Sequence, residues 1–345
     1  MYKFISLLII VILLYGTWFV YDEIYRETAQ PVDVLSFEVK KDEDVTAMTT
    51  RLADEQVVRN AFLFRRYLIF KHIDTKIHAG TFRVDAPITI ARVAQALKNV
   101  SAEERNITII PGWDIRDIAS YFEREGIATA DEVMVLLGET AMDYRQHRDV
   151  PQPSDIFSYG ILKSKPWYVS LEGYLSPDTF RVYKDASLED ILEKFIAHRD
   201  EQFSQEMYDE IKKQGRSVHE IVTMASILER EVRGEEDKKK VSDLFWRRYD
   251  RNWALQADST VHYAVNKSGN VFTTAEDRET LSPWNTYKYP GLPIGPISNP
   301  SYESIIATIY PTANDYWYFL TDDIGRVHFG RTLEEHNANV NRYLR

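Results

Sequence analysis

The sequence predicts an α+β protein: a single amino-terminal transmembrane helix, a region of strand–turn–helix units, then a mixed α+β domain. Three observations carry this. "FISLLIIVILLYGTWFVY", Phe4 to Tyr21, contains no charge. A hydrophobic pattern recurs at an offset of 70 residues. A helix with a complete start signal, 217–233, is followed by a loop-rich tail with aromatic strands.

The apolar run approaches the roughly 20 residues that a helix needs to cross a bilayer. A cleaved signal peptide is the rival reading, but it requires small residues at a cleavage site. Here the run ends in Trp18, Phe19, Val20 and Tyr21, which suit the interfacial belt of a true span. Residues 1–3 then form a cytoplasmic stub, 4–21 the anchor and 22–33 a polar linker. The expected topology is single-pass in the plasma (inner) membrane, with the bulk facing the periplasm or the cell exterior.

Beyond the anchor, 345 residues with 44% hydrophobic content suffice for two or three packed domains. The net charge of −11, with basic residues interleaved among acids, argues against a nucleic-acid footprint. The chain has no cysteine, so disulfides, thiolate metal sites and cysteine nucleophiles are excluded. Its eight histidines show no metal-binding spacing. No metal and no cofactor are expected.

The repeat aligns Phe37, Val39, Val45, Met48, Leu52 and Val57 with Ile107, Ile109, Ile115, Ile118, Phe122 and Ile127. Asp44 meets Asp114, and Glu55 meets Glu125. Each copy reads as an alternating strand, a turn ending in an Asp N-cap, and an amphipathic helix. "TFRV" at 81–84 and again at 179–182 opens a second shared strand–helix segment. Two related units are therefore expected at 34–100 and 101–196, with extra loop residues around 135–168 in the second. Chance likeness among strand–turn–helix units is the alternative, and the matched acids and the identical TFRV argue against it.

Residues 197–345 form the expected catalytic core. A long helical stretch over about 187–214 leads to "SVHE" at 217–220, a capping box in which Ser217 opens the helix 217–233. A further helix follows at about 235–251, another near 301–309, and a strand pair around 315–330 turns at "DDIG".

On helix 217–233, Val218, Val222, Ala225, Glu229 and Val232 share one stripe, and Glu229 is its only ionisable member. Burial raises a carboxyl pKa, the property a general acid needs near neutral pH. A Glu at the edge of the apolar face, or one neutralised by a buried Arg, fits the same pattern. Glu231 lies about 200° round the helix and is expected to be solvated or paired with Arg230 or Arg233.

Six motifs follow in order: "SLEGYLSPDTFRVY" (170–183), "TMASILERE" (223–231), "LQADSTVHY" (255–263), "WNTY" (284–287), "GLPIGPISNP" (291–300) and "HFGRTLEEHN" (328–337). Together they resemble the endolytic murein transglycosylases, the YceG-like family, and the resemblance covers essentially the whole ectodomain, including the amino-terminal span. The resemblance implies cleavage of the N-acetylmuramic acid–N-acetylglucosamine bond within peptidoglycan glycan strands, leaving a 1,6-anhydro-muramyl end. It also implies a LysM-like amino-terminal region and a place near the peptidoglycan synthases. From it we take Glu229 as the catalytic acid, and Gln256, Asp258, Asn285 and Tyr287 as candidate substrate-binding residues. For Gln256 and Asn285 loop architecture is an equal reading. Glu172 is expected to be structural. The chain departs from the family pattern at Ser259 (usually Pro), at Tyr310 (often His) and at Pro111 of "PGW" (usually Glu). A binding scaffold without activity, and a hydrolase on the same fold, are the competing functions. An ordinary glycosidase needs a second carboxylate, for which Asp258 is the nearest motif residue.

Overall fold

The computed structural model describes residues 2–28, 34–40, 43–98, 104–184, 186–267 and 273–344, with side chains from residue 11 onward. The chain divides into two compact units: residues 1–106 with 181–186, and residues 107–180 with 187–345.

The first unit opens with α1 (Tyr2–Tyr25), followed by β1 (Val34–Val39), α2 (Val45–Asp54), α3 (Ala61–Phe70), β2 (Gly80–Asp85) and α4 (Ile90–Lys98). The expected alternation holds in β1 and β2, which pair antiparallel with Phe37 opposite Phe82, the two rings 5.6 Å apart. Asp44 caps α2 through the Thr46 N–H, and Asn60 caps α3 through Leu63. Met48, Leu52, Phe64, Leu68, Val93 and Leu97 then close one core over the strand pair. In α1, Val11 to Val20 include a run of exposed apolar side chains. Among the described residues no helix is long and apolar enough to cross a membrane. The expected span takes in residues 4–10, whose side chains lie outside that description, as do residues 29–33 of the expected linker.

Next come β3 (Glu104–Thr108), α5 (Ile115–Arg124), α6 (Ala130–Leu137), β4 (Thr179–Tyr183) and α7 (Leu188–Glu201). Their order, strand–helix–helix–strand–helix, repeats that of β1 to α4. β3 pairs with β4, and the division between the units cuts both strands. Asp114 caps α5 with a full capping box, as Asp44 caps α2. Between α6 and β4 the chain is irregular apart from a 3-10 turn at Gly160–Ser164.

The single long helix expected over 187–214 is two. α7 ends at Glu201, and Ser204 starts α8 (Gln205–Lys213) by accepting the Met207 N–H. α9 (Val218–Glu231) begins at Ser217 with the predicted capping box. α10 (Glu235–Asp250), α11 (Asp258–Ala264), α12 (Ala275–Arg278) and α13 (Tyr302–Ile309) follow, then the antiparallel pair β5 (Tyr318–Thr321) and β6 (Val327–Gly330), and α14 (Leu333–Tyr343). Neither α11, α12 nor α14 was expected from the sequence. α11 and α12 are too short to show a period, and α14 presents no buried face.

α9 is the hub of the second unit. Every residue from Ile221 to Leu228 is buried, and α8, α10, α11 and α13 all pack on it. The amphipathic stripe expected here is therefore replaced by a helix enclosed on nearly all sides. The Gly/Pro motif sits directly on it: Ile297 N–H donates to Ser226 Oγ at 3.0 Å, and Ser298 Oγ donates to the Ser226 carbonyl at 3.1 Å.

Candidate active site

The carboxyl end of α9 carries two carboxylates, Glu229 and Glu231, and their opposite directions round the helix send them to different partners. The carbonyls of a helix's last turn disfavour negative charge beside them, so each carboxylate needs donors from elsewhere.

Glu229 finds them at the start of α13. "SNPS" at 298–301 brings Ser301 to the N-cap of that helix, where backbone N–H groups point outward. One oxygen of Glu229, Oε2, accepts from Ser301 N (2.9 Å), Ser301 Oγ (2.6 Å) and Ser304 Oγ (2.6 Å). Lys238 Nζ, on a side chain only 6% exposed, lies 3.4 Å away and also 3.5 Å from Glu303. Buried Arg199 braces the same loop by donating to the carbonyls of Leu175 and Pro300. Gly112, at φ +85°, lies beside the Glu229 stem: a Cβ there would sit 3.8 Å from Glu229 Cγ.

Burial of Glu229 pushes its pKa up, but the hydroxyls of Ser301 and Ser304, the Lys238 ammonium and the Ser301 N–H outweigh that and hold it below the ordinary value. The raised pKa expected for Glu229 is thus overturned. The helical period identified a buried acid but carried no information on α13, which ionises it.

Glu231 is the reverse case. It is half-buried, and its hydrogen bonds come from Ser259 rather than from a neighbouring arginine. Ser259, in the first turn of α11, donates to Glu231 Oε1 through its N–H (3.2 Å) and hydroxyl (2.6 Å). Enclosure of the carboxyl group is the largest influence and raises its pKa, and the charge of Asp258 adds to the rise. The Ser259 bonds and Arg230 offset only part of this, so the Glu231 pKa lies above the ordinary carboxylate value. The apolar stripe of the helix takes in Glu229 and leaves Glu231 outside it. The available signal was Ser259 itself, a hydroxyl in a motif where the family usually has proline.

Asp258 sits beside this site with its side chain 39% exposed. Its Oδ1 accepts from Thr273 Oγ1 at 2.5 Å and from the Tyr287 hydroxyl at 2.8 Å, with Arg278 at 3.6 Å. Burial and the Asp258 charge both hold the Tyr287 hydroxyl protonated, well above its usual range. Arg278 also lies over the Tyr287 ring at 4.7 Å. Asp258 and Tyr287 are therefore brought together near Glu231. Gln256 is exposed at the edge of the same segment, at φ +56°, with its N–H donating to the Thr286 carbonyl.

Asn285 does not face a cleft. It is 1% exposed, donates to the carbonyls of Arg278 and Thr280 at 2.9 Å each, and accepts the Tyr287 N–H at 3.0 Å. Both amide protons and one lone pair of the oxygen are used in closing the loop, which is the loop-architecture reading of this residue. Glu172 is structural. Buried at 1% exposure, it accepts from Ile115 N–H and Asn299 Nδ2, both at 3.0 Å, and burial raises its pKa far above normal. Among the described residues no cluster of His, Cys, Asp or Glu is arranged to hold a metal ion.

The YceG-like family matches residues 37–342. A relative from Bacillus subtilis (strain 168), named endolytic murein transglycosylase, is 30% identical over 87% of this chain and 82% of its own length. A protein of the same name from Streptococcus pneumoniae serotype 2 is 26% identical over 94% of this chain, which spans 61% of that longer protein. The crystal structure of a yceG-like protein from Listeria monocytogenes superposes with a TM-score of 0.55 at 29% identity, over 89% of this chain and 98% of that one. On this evidence the chain belongs to the YceG-like family.

Proposed function

We propose that this chain is a membrane-anchored endolytic peptidoglycan lytic transglycosylase whose acid is Glu231, with Glu229 holding the site's architecture. Family membership and the relatives' names support the enzyme class and the glycan-strand substrate. The observation that carries the assignment within the site is the contrast in partners: Glu229 Oε2 accepts from Ser301 and Ser304 and faces the Lys238 ammonium, whereas Glu231, among the described residues, accepts from Ser259 alone beside Asp258. Their pKa values are shifted in opposite directions accordingly, Glu229 down and Glu231 up.

In this reading Glu231 protonates the glycosidic oxygen as the bond from the muramyl anomeric carbon breaks. The resulting carboxylate, still bonded to Ser259, takes the proton from the muramyl 6-hydroxyl while that oxygen attacks the anomeric carbon. The product is a 1,6-anhydro end, and Glu231 regains its proton. Tyr287 and Gln256 are proposed to contact sugar groups.

The proposed topology keeps residues 1–3 inside, 4–21 in the membrane and the remainder outside. It is supported by the uncharged run and by the exposed apolar side chains of α1. A LysM-like role for 34–100, orienting glycan, is supported by the order β1–α2–α3–β2 with its antiparallel strand pair. An anchored enzyme of this kind would trim strands as they leave the peptidoglycan synthases.

One observation favours a second reading. Asp258 is close enough to Glu231 to raise its pKa, so the second carboxylate that a hydrolase requires is present. Mass spectrometry of uncrosslinked strands incubated with the full chain separates the two readings. Ends lighter by one water, lost in Glu231→Gln, support transglycosylation. Hydrated reducing ends establish the hydrolase, and strands bound but uncut leave a scaffold.

A further inference from the structure

A second cleft on α9 lies away from the two carboxylates. It is a groove of about 320 Å³ between the first half of the helix and the loop Gly291–Ile294, with Tyr168 and Tyr249 also lining it. Leu292, Pro293 and Ile294 give it an apolar wall. Glu220 lines it too, and accepts the Tyr249 hydroxyl at 2.6 Å. Thr223 lines it as well: it is 1% exposed, and its hydroxyl has no hydrogen-bond partner among the described residues. An orphaned buried hydroxyl is costly, and its position in the wall of a groove indicates a polar ligand group that completes it.

The groove lies in register with the acid. Glu220 and Glu231 are eleven residues apart on one helix, so they face nearly the same side at roughly 16 Å along the axis. A single backbone segment links the two places. Ala254 bridges to Gly291 at the groove, and Ser259 bonds Glu231 at the other end, with Gln256 exposed between them.

We propose that this groove binds an amino-sugar ring of the glycan strand, several rings away from the bond cleaved at Glu231. Tyrosine faces stack on the apolar faces of sugar rings. A carboxylate accepts sugar hydroxyls, and a threonine hydroxyl can donate to or accept from an acetamido or hydroxyl group. The inference rests on the transglycosylase reading and adds a remote subsite to it. A long strand held at both places is cut at an internal bond, whereas a short fragment is held at the acid alone.

Thr223→Val keeps the shape and removes the hydroxyl, and Tyr168→Ala removes one ring. The full chain in detergent is assayed on long peptide-free strands, on long strands carrying stem peptides and on a fragment too short to reach the groove. For each variant KM on long strands is expected to rise about tenfold, with kcat and all short-fragment kinetics unchanged. Unchanged KM on long strands overturns the proposal, and so does an equal loss on both substrates, which marks a structural effect. A defect confined to strands carrying stem peptides also overturns it, in favour of a peptide site. If the wild type cuts neither substrate, the transglycosylase reading fails on its own. The subsite is then decided by the Kd of the full chain for peptide-free strands: weaker in both variants supports it, and equal in both overturns it.

Discussion

Ser259 donates both its backbone N–H and its hydroxyl to the same oxygen of Glu231, at 3.2 and 2.6 Å. These bonds favour the ionised acid, while burial and Asp258 favour the protonated one, and the latter prevail. Ser259→Ala removes one bond to the charged form, so the Glu231 pKa rises further. The alkaline limb of the kcat/KM pH profile, which marks loss of the proton from the acid, is expected to move to higher pH. A profile that stays in place assigns the limb to another group.

The two carboxylates separate cleanly on mutation. Glu231→Gln should lower kcat by about 10²–10⁴-fold, the range of a general acid's contribution, with melting temperature kept. Glu229→Gln removes the carboxylate facing Lys238, a side chain only 6% exposed. Breaking such a buried pair costs about 3 kcal/mol or more. Denaturant titration beside steady-state kinetics shows which carboxylate controls rate and which controls stability.

Asp258→Asn tests the second carboxylate. If the reaction is a transglycosylation, anhydro ends persist and the rate changes modestly. If water is the nucleophile and Asp258 its base, cleavage falls by two orders of magnitude or so. Tyr287→Phe, which removes the 2.8 Å bond to Asp258, serves as the control for loop geometry.

Asn285→Ala strips partners from three backbone groups of the loop 278–287. A loss of roughly 2–4 kcal/mol of stability is expected from unmade buried hydrogen bonds. Substrate affinity measured on the folded fraction should change little. A large KM effect with unchanged melting would return Asn285 to the substrate.

The pH dependence of stability follows from the directions of the shifts. Burial lowers the His219 pKa, and its ring bonds the Tyr174 hydroxyl and the Ile294 carbonyl, both at 2.9 Å. Neutral His219 therefore contributes fully above pH 6.5, and its contribution is lost as pH falls through the folded value. Glu229, also lowered, contributes above pH 4.5 and loses its share below that. Glu231, raised, contributes below pH 4.5 and loses its share as pH rises through its folded value. Thermal melts of His219→Gln should be less sensitive to acid as pH falls below 6.5 than those of the wild type.

Local chemistry was legible wherever it acts within a few residues. Ser217 and Glu220 announced the start of α9, and Asp44 and Asp114 announced α2 and α5, because a cap closes over three positions. The break between α7 and α8 was missed, although Ser204 carries the same kind of signal, because the charged periodicity on both sides runs through it. Asp258 and Tyr287 were drawn from separate motifs, and the structure joins them by a hydrogen bond.

The sequence by itself determined the family and the helix that bears both carboxylates, and it singled out Glu229 of the two. What surrounds each of them is set by the tertiary structure alone. Whether a carboxyl keeps its proton is a balance of lost hydration against donors and charges. For Glu229 the donors lie 72 and 75 residues further on, at the start of α13, and for Glu231 they lie 28 residues further on, at Ser259. A helical period orders the residues of one helix, and it carries no record of which other helix end will face each of them.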